Sequence, residues 1–418
     1  MKRIPGIRSV CLVVSAAVLA AACGGGSNAQ SPSAGSLVDV SVSVGRQPYA
    51  AGNSPITQYM IDHKTFEKRA KQNGYNLTVD YRDYPSAIPM VEAMVGNKLD
   101  FGMWGNTPII RVIAQNQPLS VLTMGEGHFR FVLATRKGSP IHSMQDLKGK
   151  TVGVLFGGDP QNAFGQMLRW TLGSADPGKY GIKLVNTPTQ AQAATIPKGT
   201  DADVVTYPAF LAEQQRDPDV VGIINSFGYT ESYYDGPAGK GAGHLIAEVK
   251  NSPFYPDGFY LHRSFWVVRN QLIDQYPKVV EAFMEAYQEA TAALAKMNAG
   301  DVSQLVKQYW NLPPDAGAKV VKDELLFIRG WVWTTEADAY ALMWVSQFMT
   351  QEKQIDKPLE WTQVVQAFQK GAQLQKEAYA ATGNDPAASV FTEKTTTDKR
   401  GLPVWDSAKW KAPPSVVS

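Results

Sequence analysis

Apolar and polar residues along this chain follow a pattern that switches repeatedly between the period of a strand and the period of a helix. The stretch LVDVSVSVG, near residue 40, alternates with a period of two. A helix is predicted next, ending at the stop signal Gly74, because apolar residues recur at helical spacing at Ile56, Tyr59, Met60 and Phe66. A second alternating strand, YNLTVDYRDY, precedes a short helix over PSAIPMVEAMVGNKL and a buried strand over DFGMW. This order predicts an α/β fold with a largely parallel sheet and helices on both faces.

A second α/β unit follows a crossover. The segment LSVLTMGEGHFRFVLATR indicates two strands joined by a glycine-containing loop. Strand, glycine loop and helix then recur in DLKGKTVGVLFGGDPQNAFGQMLRWTL and again in IKLVNT with DADVVTYPAFLAEQQ. The pattern places this unit over roughly residues 126 to 262, and the chain after the strand FWVVRN is mainly helical up to about residue 385.

Four strand-to-helix junctions share one composition. They are Asn53-Ser54-Pro55, Asn106-Thr107-Pro108, Gly158-Asp159-Pro160 and Thr206-Tyr207-Pro208. In the first three, a capping residue stands directly before a proline, which is typical of a helix start. Helices of this kind begin at one edge of an open α/β sheet, so we expect their free amides to face a common crevice and to favour an oxyanion.

Aromatic residues lie at or near the same junctions. They are Tyr49, Trp104, Phe156 and Tyr207. Aromatic side chains with a few fixed polar groups are the usual lining of a small-molecule site. The same pattern is compatible with Trp104 and Phe156 in the core, and the sequence leaves both interpretations open.

The N-terminal segment has the pattern of an export signal. Lys2, Arg3 and Arg8 precede an apolar run that is too short to span a membrane permanently. The run ends at three alanines and Cys23, which resembles a bacterial lipobox, although Leu19 lies one place further upstream than is usual. We therefore expect a signal peptide over residues 1–22, a lipid on Cys23, and a flexible Gly/Ser-rich tether over residues 23–37.

Composition narrows the function. Of the 418 residues, 44% are hydrophobic and 19% are charged, which is enough for a sizeable core and two domains. Loss of the leader changes 40 basic residues to 37 against 38 acidic ones, which argues against a nucleic-acid partner. Only one of the two cysteines remains after processing, and the five histidines lack metal-ligand spacing. The sequence therefore predicts no metal, no cofactor and no thiol chemistry.

The chain resembles the solute-binding lipoproteins of ABC importers for nitrate, alkanesulfonates and taurine. The resemblance is carried by the junctions and by the segments DLKGKTVGV, DADVVTYPAFLAE and FWVVRNQLIDQYPKVVEAFMEAY. The resemblance spans roughly residues 40 to 295. It implies a two-lobed type II periplasmic-binding-protein fold with two crossing strands as a hinge. The lobes would be residues 38–125 plus 263–385, with a helical C-terminal extension, and residues 126–262; a tail would cover residues 386–418.

The resemblance also implies a function and a set of ligand contacts. The expected protein is a lipid-anchored, extracytoplasmic monomer that captures a small organic anion, chiefly an organosulfonate, by closure and passes it to an ABC permease and its ATPase. Trp104 is added from the aromatic pattern to the positions implied by the resemblance. The predicted contacts are Gln47, Tyr49, Trp104, Asn106, Thr107, Gly158, Asp159, Asn162 and Tyr207.

Three alternatives accompany this prediction. Asp159 would repel an anion unless it caps its own helix; if it faces the ligand, a zwitterion or a neutral heteroaromatic such as a pyrimidine is favoured over nitrate. The pyrimidine synthases share this fold, but they would need a cysteine-rich motif and no export signal, so an enzyme is disfavoured. A lipoprotein that binds only other proteins would show no ligand-dependent stabilisation. The Tyr-rich insertion at residues 228–258 leaves the pocket size open.

Overall fold

The alternating and apolar segments form two separate five-stranded sheets. The computed structural model describes residues 36–382, apart from residues 50, 52, 127–128, 188–195, 231–243, 253–257, 261, 323–333 and 335. The predicted signal peptide, the lipidation site Cys23 and the C-terminal tail lie outside the described residues, as do most of the tether and much of the insertion at 228–258.

Sheet 1 contains the N-terminal strands and one strand from much later in the chain. Its order is β2-β1-β3-β10-β4, and only β10 runs antiparallel to its neighbours. The alternation in VDVSVSVGR gives alternating burial at the start of β1, whereas the rest of β1 and all of β3 and β4 are buried because helices cover them. The strands are β1 Val38–Arg46, β2 Tyr75–Asp83, β3 Phe101–Gly105, β4 Leu119–Glu126 and β10 Ser264–Arg269.

Sheet 2 has the same arrangement. Its order is β7-β6-β8-β5-β9, and β5 is the antiparallel strand. The chain enters sheet 2 between β4 and β5 and returns to sheet 1 at β10, so the predicted largely parallel sheets and the predicted crossover are confirmed. The strands are β5 Phe131–Arg136, β6 Thr151–Val154, β7 Lys183–Asn186, β8 Ala202–Thr206 and β9 Val220–Asn225.

Helices connect the strands and extend the chain beyond β10. Short 3₁₀ turns occupy Met144–Leu147, Pro177–Tyr180 and Ala247–Asn251. The helices before β10 are α1 Ser54–His63, α2 Thr65–Gln72, α3 Ala87–Val95, α4 Asn106–Ala114, α5 Asp159–Leu172 and α6 Tyr207–Arg216. Those after it are α7 Asn270–Gln275, α8 Pro277–Leu294, α9 Ala299–Gln304, α10 Lys307–Trp310, α11 Pro314–Val320, α12 Glu336–Gln351 and α13 Trp361–Thr382.

Two of the C-terminal helices, α8 and α13, pack on sheet 1. The ring of Phe283 in α8 stacks on Phe101 at 4.5 Å and meets Trp266 edge-on at 4.9 Å. A Cβ atom at Gly371 in α13 would lie 2.0 Å from the carbonyl oxygen of Val121, so glycine allows this helix to approach β4 closely. The last helix of the predicted extension, α13, is therefore packed on β4, the edge strand of sheet 1.

The four junction helices begin slightly earlier than predicted. Their N-cap residues are Asn53, Gly105, Gly158 and Thr206, and the side chain of none of them caps its own helix. The expectation of a side-chain cap directly before Pro55, Pro108 and Pro160 is therefore wrong. At α4 the helix starts at Asn106, two residues ahead of Pro108, because the cap is supplied by a residue from elsewhere in the chain.

Candidate functional site

A cavity of about 60 Å³ lies beyond the carboxyl ends of four strands, β1, β3, β6 and β8. This is the position at which open α/β sheets bind ligands. One water needs roughly 10–15 Å³ of such space, so the cavity in this structure accommodates a small group of atoms. Its lining residues are Gln47, Ala51, Ala87, Ile88, Met103, Gly105, Pro108, Glu126, Phe129, Phe131, Leu155, Gly158, Asp159, Pro160, Thr206, His262 and Ser264.

All four junction regions reach this cavity. Gln47 and Ala51 come from the loop before α1, Gly105 and Pro108 from the start of α4, and Thr206 from the start of α6. The start of α5 contributes its first residues as well. Turns that are far apart in the sequence therefore meet at a single space.

Asp159 links the start of α5 to the start of α4. Its Oδ1 accepts three hydrogen bonds: from the backbone N–H of Thr107 at 2.9 Å, from the Thr107 hydroxyl at 2.8 Å, and from the Tyr260 hydroxyl at 2.6 Å. Asn162 in α5 also donates to the Thr107 hydroxyl, at 3.1 Å. Asp159 therefore does not cap its own helix α5. Its carboxylate instead caps α4, by accepting the hydrogen bond of the Thr107 backbone N–H.

Gly105 makes room for this carboxylate. A Cβ atom at this position would lie 2.0 Å from Oδ2 of Asp159 and 2.7 Å from Nε2 of His262. The backbone of Gly105, at φ −79°, is open to any residue, so space rather than conformation requires the glycine. The glycine of the DFGMWGNTP junction is thus required because the carboxylate of Asp159, from a helix that follows a strand of sheet 2, packs directly against it.

Glu126 occupies a second helix start. It lies at the end of β4, is buried, and accepts a hydrogen bond of 3.0 Å from the backbone N–H of Asn53, the N-cap of α1. The Asn53 side chain donates to the Tyr287 hydroxyl, which itself donates to the carbonyl of Gly125 at 2.6 Å. The expectation that every junction offers free amides to a ligand is therefore wrong for α1 and α4, because protein carboxylates already bind them.

The start of α5 differs from the other two. The backbone N–H groups of Gly158 and Asp159 donate no hydrogen bond within the part of the chain that the structure describes, and both residues line the cavity. Amides at a helix start carry partial positive charge. This start can bind an oxyanion.

His262 completes the wall next to Asp159. Its Nε2 lies 4.0 Å from Oδ2 of Asp159, and its ring lies 5.5 Å from the rings of both Phe129 and Phe131. Burial lowers the pKa of His262 to about 4, against the opposing effect of the Asp159 carboxylate, so the imidazole is neutral at pH 7. Burial raises the pKa of Tyr260 well above its usual value, which keeps its hydroxyl protonated as a donor.

The predicted contacts divide into two groups. Gln47, Gly158 and Asp159 line the cavity. Thr107 lies behind them and donates to Asp159, and Asn162 in turn donates to the Thr107 hydroxyl. Gln47 also donates to the carbonyl of Met103 at 2.9 Å, which ties the first loop to β3.

The remaining predicted contacts lie elsewhere. Trp104 is completely buried in β3, and Tyr207 is completely buried with the guanidinium of Arg130 4.1 Å above its ring. Asn106 is buried and accepts a hydrogen bond from the backbone N–H of Arg263. Tyr49 is exposed and meets the ring of Tyr309 edge-on. None of these four lines the cavity in the described part of the chain.

Sequence reasoning missed several residues of the wall. Glu126, Phe129 and Phe131 flank the crossover from β4 to β5, and His262 precedes β10. Tyr260, just before His262, does not line the cavity but donates to Asp159. The available signal was a charged residue followed by aromatics at the point where the chain changes sheet. Junction composition gave no indication of them, because they do not lie at strand-to-helix turns.

The described residues lack two kinds of feature. They contain no group of three or more histidine, cysteine or acidic side chains positioned to hold a metal ion. They also contain no helix with the length and apolar character required to cross a membrane.

Residues 70–171 match a family model described as ABC transporter, phosphonate, periplasmic substrate-binding protein. No curated protein matches the chain in sequence. The match covers less than half of the chain, and the two five-stranded sheets agree with the fold of periplasmic binding proteins.

Solved structures show the same fold at low sequence identity. The alkanesulfonate-binding protein of Xanthomonas axonopodis pv. citri, bound to MOPS, superposes with a TM-score of 0.57 at 14% identity, covering 80% of this chain and 99% of that one. The aliphatic sulphonate-binding protein of Escherichia coli gives 0.55 at 18% identity, with 77% and 91% covered. The nitrate-binding protein of Synechocystis PCC 6803 gives 0.56 at 12% identity, with 82% and 89% covered. The predicted periplasmic-binding-protein fold is confirmed.

Proposed function

We propose that this protein captures a small organic solute in the cavity and delivers it to an ABC permease and its ATPase, without bond chemistry of its own. The observation that supports this most directly is the composition of the cavity wall, which draws residues from the carboxyl ends of strands in both sheets. The bonds of Thr107 to Asp159 and Asn162 join helices that follow strands of different sheets. A solute bound there would contact both halves and favour their closure.

In this proposal the two predicted lobes are the parts of the protein that close on the solute. Residues 38–125 plus 263–385 would form one lobe and residues 126–262 the other, with the two crossings, from β4 to β5 and from β9 to β10, as the hinge. Opening then requires the Asp159 and Asn162 bonds to Thr107 to break. Small-angle scattering of the protein with and without solute measures this motion, and a monomer is the expected species in both states.

An organosulfonate remains the first candidate ligand. Its sulfonate oxygens would accept hydrogen bonds from the amides of Gly158 and Asp159, which are not engaged within the described residues. The small cavity favours a short aliphatic sulfonate such as taurine over an arylsulfonate. Phe129 and Phe131 on the wall support the second candidate, a small heteroaromatic such as a pyrimidine. Nitrate would leave the apolar wall unused.

A thermal-shift panel tests the proposal. The panel contains taurine, alkanesulfonates, an arylsulfonate, nitrate and pyrimidines, each measured together with the radius of gyration. A ligand at 100 times its dissociation constant adds about 2.7 kcal/mol to the free energy of unfolding. A panel in which no compound raises the melting temperature or compacts the protein would contradict solute capture and favour a lipoprotein that binds other proteins.

Membrane attachment is a separate part of the proposal. We expect lipid on Cys23 after removal of residues 1–22, which would hold the binding domain outside the cytoplasmic membrane through the tether. Expression of the full chain with a radiolabelled fatty acid tests this. Label that persists in a Cys23→Ser variant would contradict lipidation at this cysteine.

A further inference from the structure

The cavity wall carries two carboxylates and, among its described residues, no lysine or arginine. The carboxylates are those of Glu126, from the end of β4, and Asp159, from the start of α5. Oδ2 of Asp159 accepts no hydrogen bond from the described residues and lies against Gly105 and His262. A wall with this charge repels an anion and attracts a cation.

Three neighbouring arginines have partners outside the lining of the cavity. The guanidinium of Arg263 forms an ion pair with Asp338 at 3.4 Å, and that of Arg130 lies over the ring of Tyr207. Arg111 donates to the carbonyl of Gly157 at 2.8 Å, outside the residues that line the cavity. The charge of Arg111 acts on Asp159 and that of Arg263 on His262, but none of the three arginines lines the cavity.

Aromatic rings stand next to the carboxylates. Phe129 and Phe131 lie 5.4 Å apart and edge-on, and Phe131 lies 6.0 Å from Tyr260, which donates to Asp159. The rings of both phenylalanines lie 5.5 Å from that of His262. Aromatic rings with neighbouring carboxylates are the usual surroundings of a bound ammonium group.

Two residues of the wall each carry a buried polar atom that a ligand can satisfy. Nδ1 of His262 and Oγ1 of Thr206 are buried and have no hydrogen-bond partner within the described residues. Buried polar atoms are nearly always satisfied, and each of these belongs to a residue that lines the cavity. The neutral imidazole adds no positive charge that would oppose a cationic ligand.

We infer that the cavity is built for a cationic nitrogen, an ammonium or small quaternary group, held between Asp159 and Glu126 and against Phe129 and Phe131. This inference rests on the proposed function and narrows its ligand class. Together with the amides of Gly158 and Asp159, it describes a site for a zwitterion with its nitrogen at the carboxylates and its oxyanion at α5. A simple sulfonate or nitrate ion satisfies only half of this site.

Matched pairs of probes test the inference by calorimetry on the purified protein. Taurine is compared with isethionate, which replaces the ammonium with a hydroxyl, and choline with 3,3-dimethylbutan-1-ol, its uncharged analogue. The cationic member of at least one pair should bind about tenfold more tightly or better than its partner, because a charged hydrogen bond or a cation–π contact is lost in the partner. Equal binding within both pairs would overturn the inference.

Anionic probes separate failure of the inference from failure of the proposed function. If isethionate, an alkanesulfonate or nitrate binds at least as well as the amines, the protein captures a solute but its site does not select a cation. If neither amines nor anions bind or compact the protein, both the inference and the panel's support for solute capture fail.

Variants locate the site. Asp159→Asn removes the charge at nearly constant shape and should weaken the cationic probe about tenfold or more while changing its uncharged analogue little. Asp146→Asn is the matched control, because Asp146 also binds backbone N–H groups, of His142 and Ser143, but lies away from the cavity. An Asp159→Asn variant that binds the cation as wild type does would overturn the assignment. Glu126→Gln provides the same test if Asp159→Asn does not fold.

Discussion

Oδ1 of Asp159, at the start of α5, accepts a 2.9 Å hydrogen bond from the backbone N–H of Thr107, in the first turn of α4. Two helices that follow strands of different sheets are thus joined at the wall of the cavity. The carboxylate takes the place that an anionic ligand would take at the start of α4. In the closure that we propose, this bond would make the closed arrangement depend on the protein's own charge as well as on the solute.

Removal of the Thr107 hydroxyl should weaken the contact between α4 and α5 and so lower the stability of the protein. Thr107→Val keeps the backbone donor but loses the bonds of the hydroxyl to Asp159 and Asn162. Since one of these bonds involves a charged group, we expect the free energy of unfolding in urea to fall by about 2 kcal/mol.

The control for this change is Thr291→Val. Thr291 is also buried, and its hydroxyl donates only to the carbonyl of Tyr287 in its own helix, at 2.8 Å. It should cost about 1 kcal/mol. A Thr107 variant no less stable than this control would show that the joint between the helices contributes little.

A methyl group at residue 105 should displace the Asp159 carboxylate. Gly105→Ala places a Cβ atom 2.0 Å from Oδ2, so the side chain of Asp159 has to move, and we expect a loss of about 2 kcal/mol on urea denaturation. In the background of Asp159→Ala the same change should cost less, because only the 2.7 Å approach of the new Cβ atom to Nε2 of His262 remains. Gly165→Ala, whose added Cβ would meet a ring carbon of Phe348 at 3.4 Å, should be neutral or stabilising. Equal costs of Gly105→Ala in both backgrounds would contradict the proposed clash.

His262 should make stability depend on acid pH. Its folded pKa, about 4, lies below the ordinary value of 6.5, so the unfolded chain binds the proton more readily between these values. The contribution of the neutral His262 to the free energy of unfolding is therefore fully present above pH 6.5. It is lost as the pH falls towards 4, by about 3 kcal/mol in all.

The difference between wild type and His262→Gln isolates this effect. Glu213 and Glu281, whose pKa values burial raises to about 7, act in the opposite sense over part of the same range, but they are common to both proteins. We expect the stability advantage of wild type over the variant to shrink from pH 7 to pH 4 in urea titrations. Parallel stability curves would show that His262 is protonated as easily in the folded protein as in the unfolded chain.

Trp104 should affect stability rather than ligand affinity. Its side chain is completely buried in β3 and does not line the cavity, so Trp104→Ala should lower the free energy of unfolding by about 3–5 kcal/mol. Trp104→Phe should keep the fold, and its dissociation constant for the best compound of the thermal-shift panel should stay within about twofold of wild type. A tenfold weaker constant in a stable Phe variant would instead place the indole at the ligand.

Local chemistry predicted the junctions but not what binds to them. Pro55, Pro160 and Pro208 mark helix starts because proline fits the first turn wherever the chain goes next. The partner of the α4 amide is a carboxylate 52 residues further along the chain, and that of the Asn53 amide is 73 residues away. Separations of this size are fixed by how the two sheets are joined, which no local pattern records.

The sequence by itself determined the succession of strands and helices, the change of sheet after β4 and the return at β10, because hydrophobic periodicity and turn residues act over a few positions. Tertiary structure alone decided which side chains face the cavity. Trp104 and Tyr207 turned into the core, whereas Glu126 and His262 turned to the wall. The reason is that each side chain takes its direction from packing against elements distant in sequence, and the charge of the site follows from those directions.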